Sequence, residues 1–176
     1  MNRQVTMEDE INYLSKFVII LITVISISII KAQNNTPVGY WKTINEETQE
    51  VRSIVKIWKA DNGKLKGKIV KIFPGPDDDP NPVCEECEGD RKNEPILGME
   101  FLWGFEGENK KWKNGKILDP QNGKIYNCEL KVSEQGDKME VYGYIQLLVK
   151  IGRTQIWKRV KKDEIDLNSG NAIGNK

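Results

Sequence analysis

Polar and apolar residues alternate at every second position over several stretches of this sequence, and this alternation most constrains the fold. In residues 64–69 three lysines alternate with apolar or small residues, and residues 126–132 and 138–143 repeat the pattern. A period of two is typical of a half-solvated antiparallel strand, whereas an amphipathic helix repeats about every 3.6 residues. The alternation therefore predicts an all-β chain.

Turn dipeptides separate the alternating stretches. Asn-Gly stands at residues 62–63, 114–115 and 122–123, and Gln-Gly stands at residues 135–136. Asn-Gly readily adopts the positive φ angles of tight hairpins, so it marks strands that are antiparallel neighbours. Counting the stretches predicts eight strands, over residues 38–44, 51–59, 64–73, 97–105, 111–118, 124–132, 137–145 and 151–160.

Eight short strands without helical periodicity fit either a closed meander barrel or a two-sheet sandwich. The barrel is favoured because sequential hairpins lead to up-and-down closure, and closure removes the exposed edges of an open sheet. The long connection at residues 74–96, rich in Pro, Gly and Asp, interrupts the meander. We predict an eight-stranded antiparallel up-and-down barrel over residues 33–160, followed by a flexible polar tail at residues 161–176.

A fourteen-residue apolar run at residues 17–30 lies between Lys16 and Lys31. A membrane-spanning helix needs about 20 apolar residues, whereas the core of a signal peptide has about 7 to 15. The run predicts that residues 1–32 are a signal peptide, removed after Ala32 to leave no integral membrane domain, with an uncleaved anchor as the alternative. Either outcome predicts an extracytoplasmic location, periplasmic or secreted.

The composition excludes several kinds of chemistry. The chain has no histidine, so it has no Ser-His-Asp or Cys-His nucleophile and no imidazole ligand for zinc or haem. Its 27 Lys and Arg against 26 Asp and Glu leave a formal charge of +1. That charge gives no long-range field to attract nucleic acid. We expect no nucleic-acid partner and no cofactor, and the oligomeric state stays open.

Three cysteines are placed where they can form a disulfide. Cys84 and Cys87 lie in the long connection with two glutamates between them, and Cys128 lies in a predicted strand. The Cys-x-x-Cys spacing also occurs in redox and metal sites, but no helix is readable here to lower a thiol pKa. An oxidising compartment favours a disulfide, either Cys84 with Cys87 or one of them with Cys128. A metal site and free thiols are the alternatives, and we expect no metal.

Several sequence blocks occur in a fixed order: Gly39-Tyr40-Trp41, Gly67-Lys68-Ile69-Val70, Pro95-Ile96-Leu97-Gly98, Asn122-Gly123-Lys124-Ile125-Tyr126 and Gly152-Arg153-Thr154-Gln155-Ile156-Trp157-Lys158-Arg159-Val160. Over residues 38–160 this order resembles the bacterial secreted family known as domain of unknown function 2147. The resemblance implies a calycin-type, lipocalin-like barrel. It implies no established activity.

The same resemblance implies a plug at one end of the barrel. Lipocalin-like barrels place a Gly-x-Trp on the first strand, and a basic residue of the last strand lies over the indole. Trp41 with either Arg153 or Arg159 supplies these partners, and Arg159 is favoured because the end of its strand lies nearest the N-terminus. Such a contact contributes about 0.5 to 2 kcal/mol. The alternative is a core Trp41 with both arginines solvated.

The segment from Asp119 to Lys124 is typical of a turn. Asp119 with Pro120 starts it, the carboxylate can accept backbone N–H bonds, and Asn122-Gly123 closes the hairpin. The catalytic alternative is a hydrolase in which Asp119 is the general base and Lys124 or Tyr126 is the acid. We expect the turn function, and no enzyme.

Three functions are compatible with this sequence. The favoured one is a non-catalytic barrel that binds a small apolar or amphipathic ligand, because an eight-stranded barrel has room for one. The others are a cell-envelope structural or interaction protein with a filled barrel, and the hydrolase. The residues expected to line a ligand site are Trp58, Trp103, Trp112, Tyr126 and Trp157.

Overall fold

The computed structural model describes residues 35–160 and Glu164. The predicted signal peptide and, apart from Glu164, the predicted tail lie outside these residues. The described strands are β1 Gly39–Ile44, β2 Val51–Lys59, β3 Leu65–Ile72, β4 Glu100–Glu108, β5 Lys111–Leu118, β6 Ile125–Val132, β7 Lys138–Gln146 and β8 Lys150–Arg159. Every predicted strand is present. Within residues 35–160 no helix is long and apolar enough to cross a membrane.

The strands form a closed antiparallel barrel in sequence order, in which β8 returns to pair with β1. This confirms the predicted fold. One predicted turn lies elsewhere, because β4 and β5 are joined at residues 109–110, where Asn109 has a φ of 52°. The Asn114-Gly115 dipeptide instead forms an irregularity inside β5, where the register to β6 shifts between Trp112 and Gly115. Asn114 has a φ of 59° at this irregularity, a left-handed conformation that asparagine adopts more readily than most residues.

The strand register defines the inner face. Residues directly opposite each other in an antiparallel ladder point to the same side of the sheet. The ladders connect Gly115 to Cys128, Cys128 to Gly143, and Gly143 to Arg153. Cys128 is fully buried and belongs to the core cluster. These four positions therefore form one row on the inner face, which we call the Cys128 row.

The barrel has two different ends, because neighbouring strands alternate in direction. The closed end holds the start of β1 and the loops at residues 60–64, 109–110 and 133–137. Side chains at most 5% exposed fill the interior towards it: Trp41, Val55, Ile57, Leu65, Phe105, Trp112, Leu130, Val132, Met139 and Trp157. The open end holds the loops at residues 45–50, 73–99, 119–124 and 147–149.

The long connection is ordered by its own contacts. Cys84 and Cys87 form a disulfide, which confirms one of the predicted pairings. Val83 forms an isolated β-bridge with Pro95. Cys84 Sγ lies 3.3 Å from the carbonyl oxygen of Pro120, so the disulfide is placed against the turn between β5 and β6.

Candidate functional site

Trp41 and Arg159 lie together at the closed end. Trp41 is fully buried, and its Nε1 donates a hydrogen bond to the carbonyl oxygen of Pro37 at 2.7 Å. The guanidinium carbon of Arg159 lies 4.1 Å from the centre of the Trp41 ring. Burial lowers the pKa of Arg159 from its ordinary value, but a guanidinium stays charged in proteins. Arg153, the other predicted partner, lies opposite Gly143 in β7, so the structure corrects that alternative.

Two of the tryptophans expected to line a ligand site lie on the outer face. Trp58 and Trp103 are each paired directly with Lys66, from β2 and β4 respectively. Each tryptophan follows a buried residue of the inner face, Ile57 or Leu102, so the alternation turns it outward. The expectation that they line a ligand site in the interior or at the mouth of the barrel is therefore wrong. Which face each tryptophan takes follows from the strand register, which the sequence alone does not show.

Two further expected lining residues belong to the filled part of the barrel. Trp112 is 5% exposed and Trp157 is 2% exposed. The Phe101 ring stacks on Trp157 with 6.2 Å between the ring centres. These tryptophans act as core side chains.

Tyr126 is the one expected aromatic residue that lies at the open end of the interior. It is half-buried and pairs with Ile117, whose Cγ2 lies on the inner face near Gly143. Its hydroxyl oxygen accepts a hydrogen bond from Asn122 Nδ2 at 3.3 Å. The tyrosine proton therefore remains available for donation.

Asp119 is held within its turn. Its Oδ1 accepts a hydrogen bond from the backbone N–H of Gln121, and its Oδ2 accepts one from Asn122 Nδ2, both at 3.0 Å. The backbone N–H of Asp119 donates to the carbonyl oxygen of Lys124 at 2.9 Å. The side chain of Lys124 is exposed. This arrangement is that of a structural turn, with both carboxylate oxygens engaged.

The hairpin of β7 and β8 forms one wall of the open end. These two strands pair along their whole length, whereas β1 pairs with β8 through Trp41–Arg159 and Lys42–Lys158, near the closed end. The hairpin therefore continues beyond the part that β1 covers. Its inward positions past the Cys128 row are Ile145 and Ile151, which are 45% and 56% exposed.

The apolar surface continues into the turn of this hairpin. Leu147, Leu148 and Val149 are 64%, 102% and 65% exposed, and we call them the apolar tip. Exposed apolar side chains forgo the free energy that their burial would contribute to stability. A contiguous group of them is therefore typical of a binding surface. The tip and the two inward isoleucines form one continuous segment of chain.

The Cys128 row shows where the interior is full and where it is open. A Cβ added at Gly115 would lie 2.2 Å from the Phe105 ring, so that side chain already occupies the space. A Cβ added at Gly143 would meet only Ile117 Cγ2, at 3.7 Å. The interior is therefore packed beside β5 and open beside β7. Between them, burial and then the charge of Glu129 raise the pKa of the Cys128 thiol.

Two polar side chains face this open region from β8. The side chain of Arg153 is exposed and makes no hydrogen bond or ion pair with any other described residue. Gln155, the next inward position, is half-buried, and its Oε1 accepts a hydrogen bond from Trp157 Nε1 at 3.2 Å. That contact leaves the amide N–H groups of Gln155 as donors.

A second concave region lies on the outer face of β5 to β8. It is a depression of about 410 Å³ whose lining includes Lys111, Lys131, Glu140 and Tyr142. Lys131 and Glu140 form an ion pair at 3.1 Å across it. Two charges in this depression therefore already neutralise each other, whereas the charge of Arg153 has no such partner among the described residues.

Comparison with known proteins agrees with this geometry. The family model described as an uncharacterized protein conserved in bacteria (DUF2147) matches residues 39–159, which span the whole barrel. The chain belongs to this family. A search of curated proteins found no match.

Among solved structures, this chain is similar to protein HP1028 from the human pathogen Helicobacter pylori, which is described as belonging to the lipocalin family. The two share 19% identity with a TM-score of 0.64, over 76% of this chain and 89% of that one. This similarity shows a lipocalin-like fold.

Proposed function

We propose that this protein is a non-catalytic, extracytoplasmic binding protein that holds one small apolar or amphipathic ligand at the open end of its barrel. The observation that carries the proposal is an inward-facing wall in which Ile145 and Ile151 are exposed and Gly143 leaves open space in front of it. Covering this apolar surface with a ligand would contribute about 25 cal/mol per Å² removed from water.

The packed interior limits where such a ligand can lie. Trp112, Met139 and Trp157 fill the barrel towards the closed end, so the ligand occupies a shallow site. Its apolar part would contact Ile117 and Tyr126 on one side and the inward isoleucines of the hairpin on the other.

Location and lack of catalysis are supported separately. The disulfide between Cys84 and Cys87 is compatible with an oxidising compartment, as is the predicted signal peptide. The carboxylate oxygens of Asp119 both accept hydrogen bonds inside its turn, which favours a structural function over that of a general base.

A second candidate function is an interaction protein of the cell envelope. The filled half of the barrel and the exposed apolar tip favour it, because a protein partner could cover the tip without entering the barrel. The two candidates differ in whether the space in front of Gly143 is used.

Native mass spectrometry of the protein purified from its own cells tests the proposal. We expect an added small-molecule mass on the unaltered protein and on Gly143→Ala, whose methyl group fits the space. Gly143→Trp should lose this mass, because an indole would fill the open region. Equal behaviour of the unaltered and Gly143→Trp proteins, with no small-molecule mass on either, would favour the interaction protein.

A further inference from the structure

We propose that the ligand is a single-chain amphiphile with one anionic head group, a carboxylate or a phosphate monoester, and that Arg153 binds this head group. The inference rests on the proposed function, because it names the class of ligand for the same site. Three observations carry it: the partners of the arginines, the order of residues along β8, and the apolar segment above Arg153.

Arg153 differs from the other described arginines in its surroundings. Arg52 forms an ion pair with Asp78 at 3.0 Å, Arg91 lies over the Trp103 ring, and Arg159 lies over Trp41. Arg153 alone among these four has neither a carboxylate nor an aromatic ring as its partner within the described chain. Its guanidinium offers a planar fork of donors that matches a carboxylate or phosphate.

The neighbours of Arg153 leave space for a head group. Arg153 belongs to the inward-facing Cys128 row, and the residue opposite it, Gly143, has no side chain. Gln155 is the next inward residue towards the closed end, and its amide N–H groups supply a second donor. Beyond it, Trp157 is 2% exposed and packed, so a head group stops at this level.

The order of inward residues along β8 sets the direction of the ligand. From the closed end it runs through Trp157, Gln155, Arg153 and Ile151 to the apolar tip. The charge of Arg153 therefore lies deeper than the exposed apolar side chains. An amphiphile can contact both Arg153 and the apolar side chains only if its head group enters the barrel first and its tail points outward.

The apolar segment has the length that a tail requires. Leu148 lies five positions before Arg153; three of these steps lie within β8, where a strand rises about 3.3 Å per residue and covers about 10 Å, and the other two lie in the turn. The end of an extended dodecyl chain would therefore reach the apolar tip. Ile145 and Ile151 would contact the part of the tail near the head, and the apolar tip would contact its end.

The charges of the surrounding loop work against a general attraction for anions. The loop at residues 45–50 at the same end of the barrel carries three glutamates and no basic residue. Binding of an anion therefore requires the directed contact with Arg153. A cationic amphiphile is the natural opposite probe, because it would be attracted by the loop and repelled by Arg153.

Displacement of the neutral fluorescent probe N-phenyl-1-naphthylamine, below the micelle concentration of each amphiphile, tests the inference. The competitors are dodecanoate, dodecyl phosphate, dodecan-1-ol and dodecyltrimethylammonium. We expect the unaltered protein to bind at least one anionic competitor about tenfold or more tightly than the alcohol, since hydrogen bonds between charged groups are the strong ones. Preference for one of the two anions identifies its head group.

Two variants separate the directed contact from net charge. Arg153→Gln should bring the anion to the affinity of the alcohol and leave the alcohol unchanged. Lys150→Gln is the matched control, because Lys150 belongs to the same hairpin but points outward and pairs with Glu129. It should keep the full preference for the anion. Circular dichroism checks that both variants fold.

The remaining outcomes distinguish the two proposals. Equal affinity for the alcohol and both anions, or tightest binding of the cation, overturns the inference and leaves the proposed function standing. An anion preference that Lys150→Gln abolishes and Arg153→Gln retains also overturns it. If neither the probe nor any amphiphile binds the unaltered protein, the proposed function itself fails.

Discussion

The guanidinium carbon of Arg159 lies 4.1 Å from the centre of the Trp41 ring, and this contact joins the last strand of the barrel to the first. Arg159 also donates hydrogen bonds to the carbonyl oxygens of Thr36 at 2.6 Å and Val38 at 3.0 Å. These bonds lie where the ladder between β1 and β8 is short. The Arg159 side chain therefore stabilises the closure of the barrel, because it connects β8 to the residues that lead into β1.

Replacing Trp41 by Ala should lower the free energy of unfolding by about 3 to 5 kcal/mol, as other large-to-small core changes do. Trp41 is fully buried, so the change removes both its apolar contacts and the partner of Arg159. Urea denaturation measures the loss. Lys158→Ala, on an exposed neighbour in β8, is the control and should change stability by less than about 0.5 kcal/mol. A loss below about 1 kcal/mol for Trp41→Ala would contradict this account.

The strand order could be predicted because its signals are local. Alternation and turn dipeptides act within a few residues, and they give all eight strands. The direction of each tryptophan depends instead on register, because a shift of one residue moves a side chain to the other face. Bulges such as the one between Trp112 and Gly115 in β5 change that register, and no composition rule reveals them.

The site was harder to predict than the fold for a related reason. Arg153 and Arg159 are both basic residues of the last strand, and their spacing places them on the same face. Their different positions along β8 give them different surroundings. Arg159 lies over Trp41 at the closed end, whereas the side chain of Arg153 lies nearer the open end without a partner among the described residues. The family resemblance was enough to predict the contact at the closed end. The open space at Gly143 could not be predicted, because it depends on which side chains of other strands lie near it.

The buried thiol of Cys128 should make stability fall with rising pH. Burial raises the pKa of this thiol in the folded protein, whereas an unfolded thiol ionises near pH 8.5. Above that pH the unfolded state binds fewer protons than the folded state, so the free energy of unfolding decreases. Between pH 8.5 and pH 10 the loss from this group should reach about 2 kcal/mol.

Urea denaturation at a series of pH values measures the effect of Cys128. Cys128→Ala removes the thiol, so its stability should lack this part of the pH dependence, although it will be lower overall. The disulfide-bonded Cys84 and Cys87 do not titrate and cannot supply the difference. Parallel curves for the two proteins from pH 7.5 to pH 10 would show that the thiol is accessible in the folded state.

Asp119→Ala should lower the free energy of unfolding by about 1 to 3 kcal/mol, the range for losing a charged hydrogen-bond partner. The exposure of the turn favours the lower part of this range. Asp119→Asn keeps one acceptor oxygen and should recover part of the loss. Thermal unfolding of the three proteins measures both effects. Two variants as stable as the parent would remove the structural function of Asp119 and reopen the hydrolase.

Gly123→Ala should separate the turn from the disulfide loop. Gly123 has a φ of 68°, and an added Cβ would lie 1.8 Å from the carbonyl oxygen of Glu86. Gly63→Ala is the matched control, because its φ is 78° but the nearest atom, on Lys59, would be 3.7 Å away. Both variants carry backbone strain of about 1 to 2 kcal/mol.

The difference between these two alanine variants measures how firmly the disulfide loop is placed on the turn. Gly123→Ala should cost about 1 to 3 kcal/mol more than Gly63→Ala, since overpacking forces backbone to move. Urea denaturation gives both values. Equal losses would mean that residues 84–87 do not rest against the turn in solution.

The last prediction concerns Gly115 and Gly143, which flank Cys128 in the Cys128 row. Gly115 lies where the interior is packed, and Gly143 lies where it is open. Gly115→Ala should lower the free energy of unfolding by about 1 to 3 kcal/mol, since its Cβ would lie 2.2 Å from the Phe105 ring. Gly143→Ala should be neutral or stabilising by up to about 1 kcal/mol, because its Cβ fits and the unfolded chain loses freedom. Both changes add the same methyl group to the same inner face, so urea denaturation compares only the space in front of each glycine. If Gly143→Ala were as costly as Gly115→Ala, the interior beside β7 would be filled, and the ligand site proposed there would have no room.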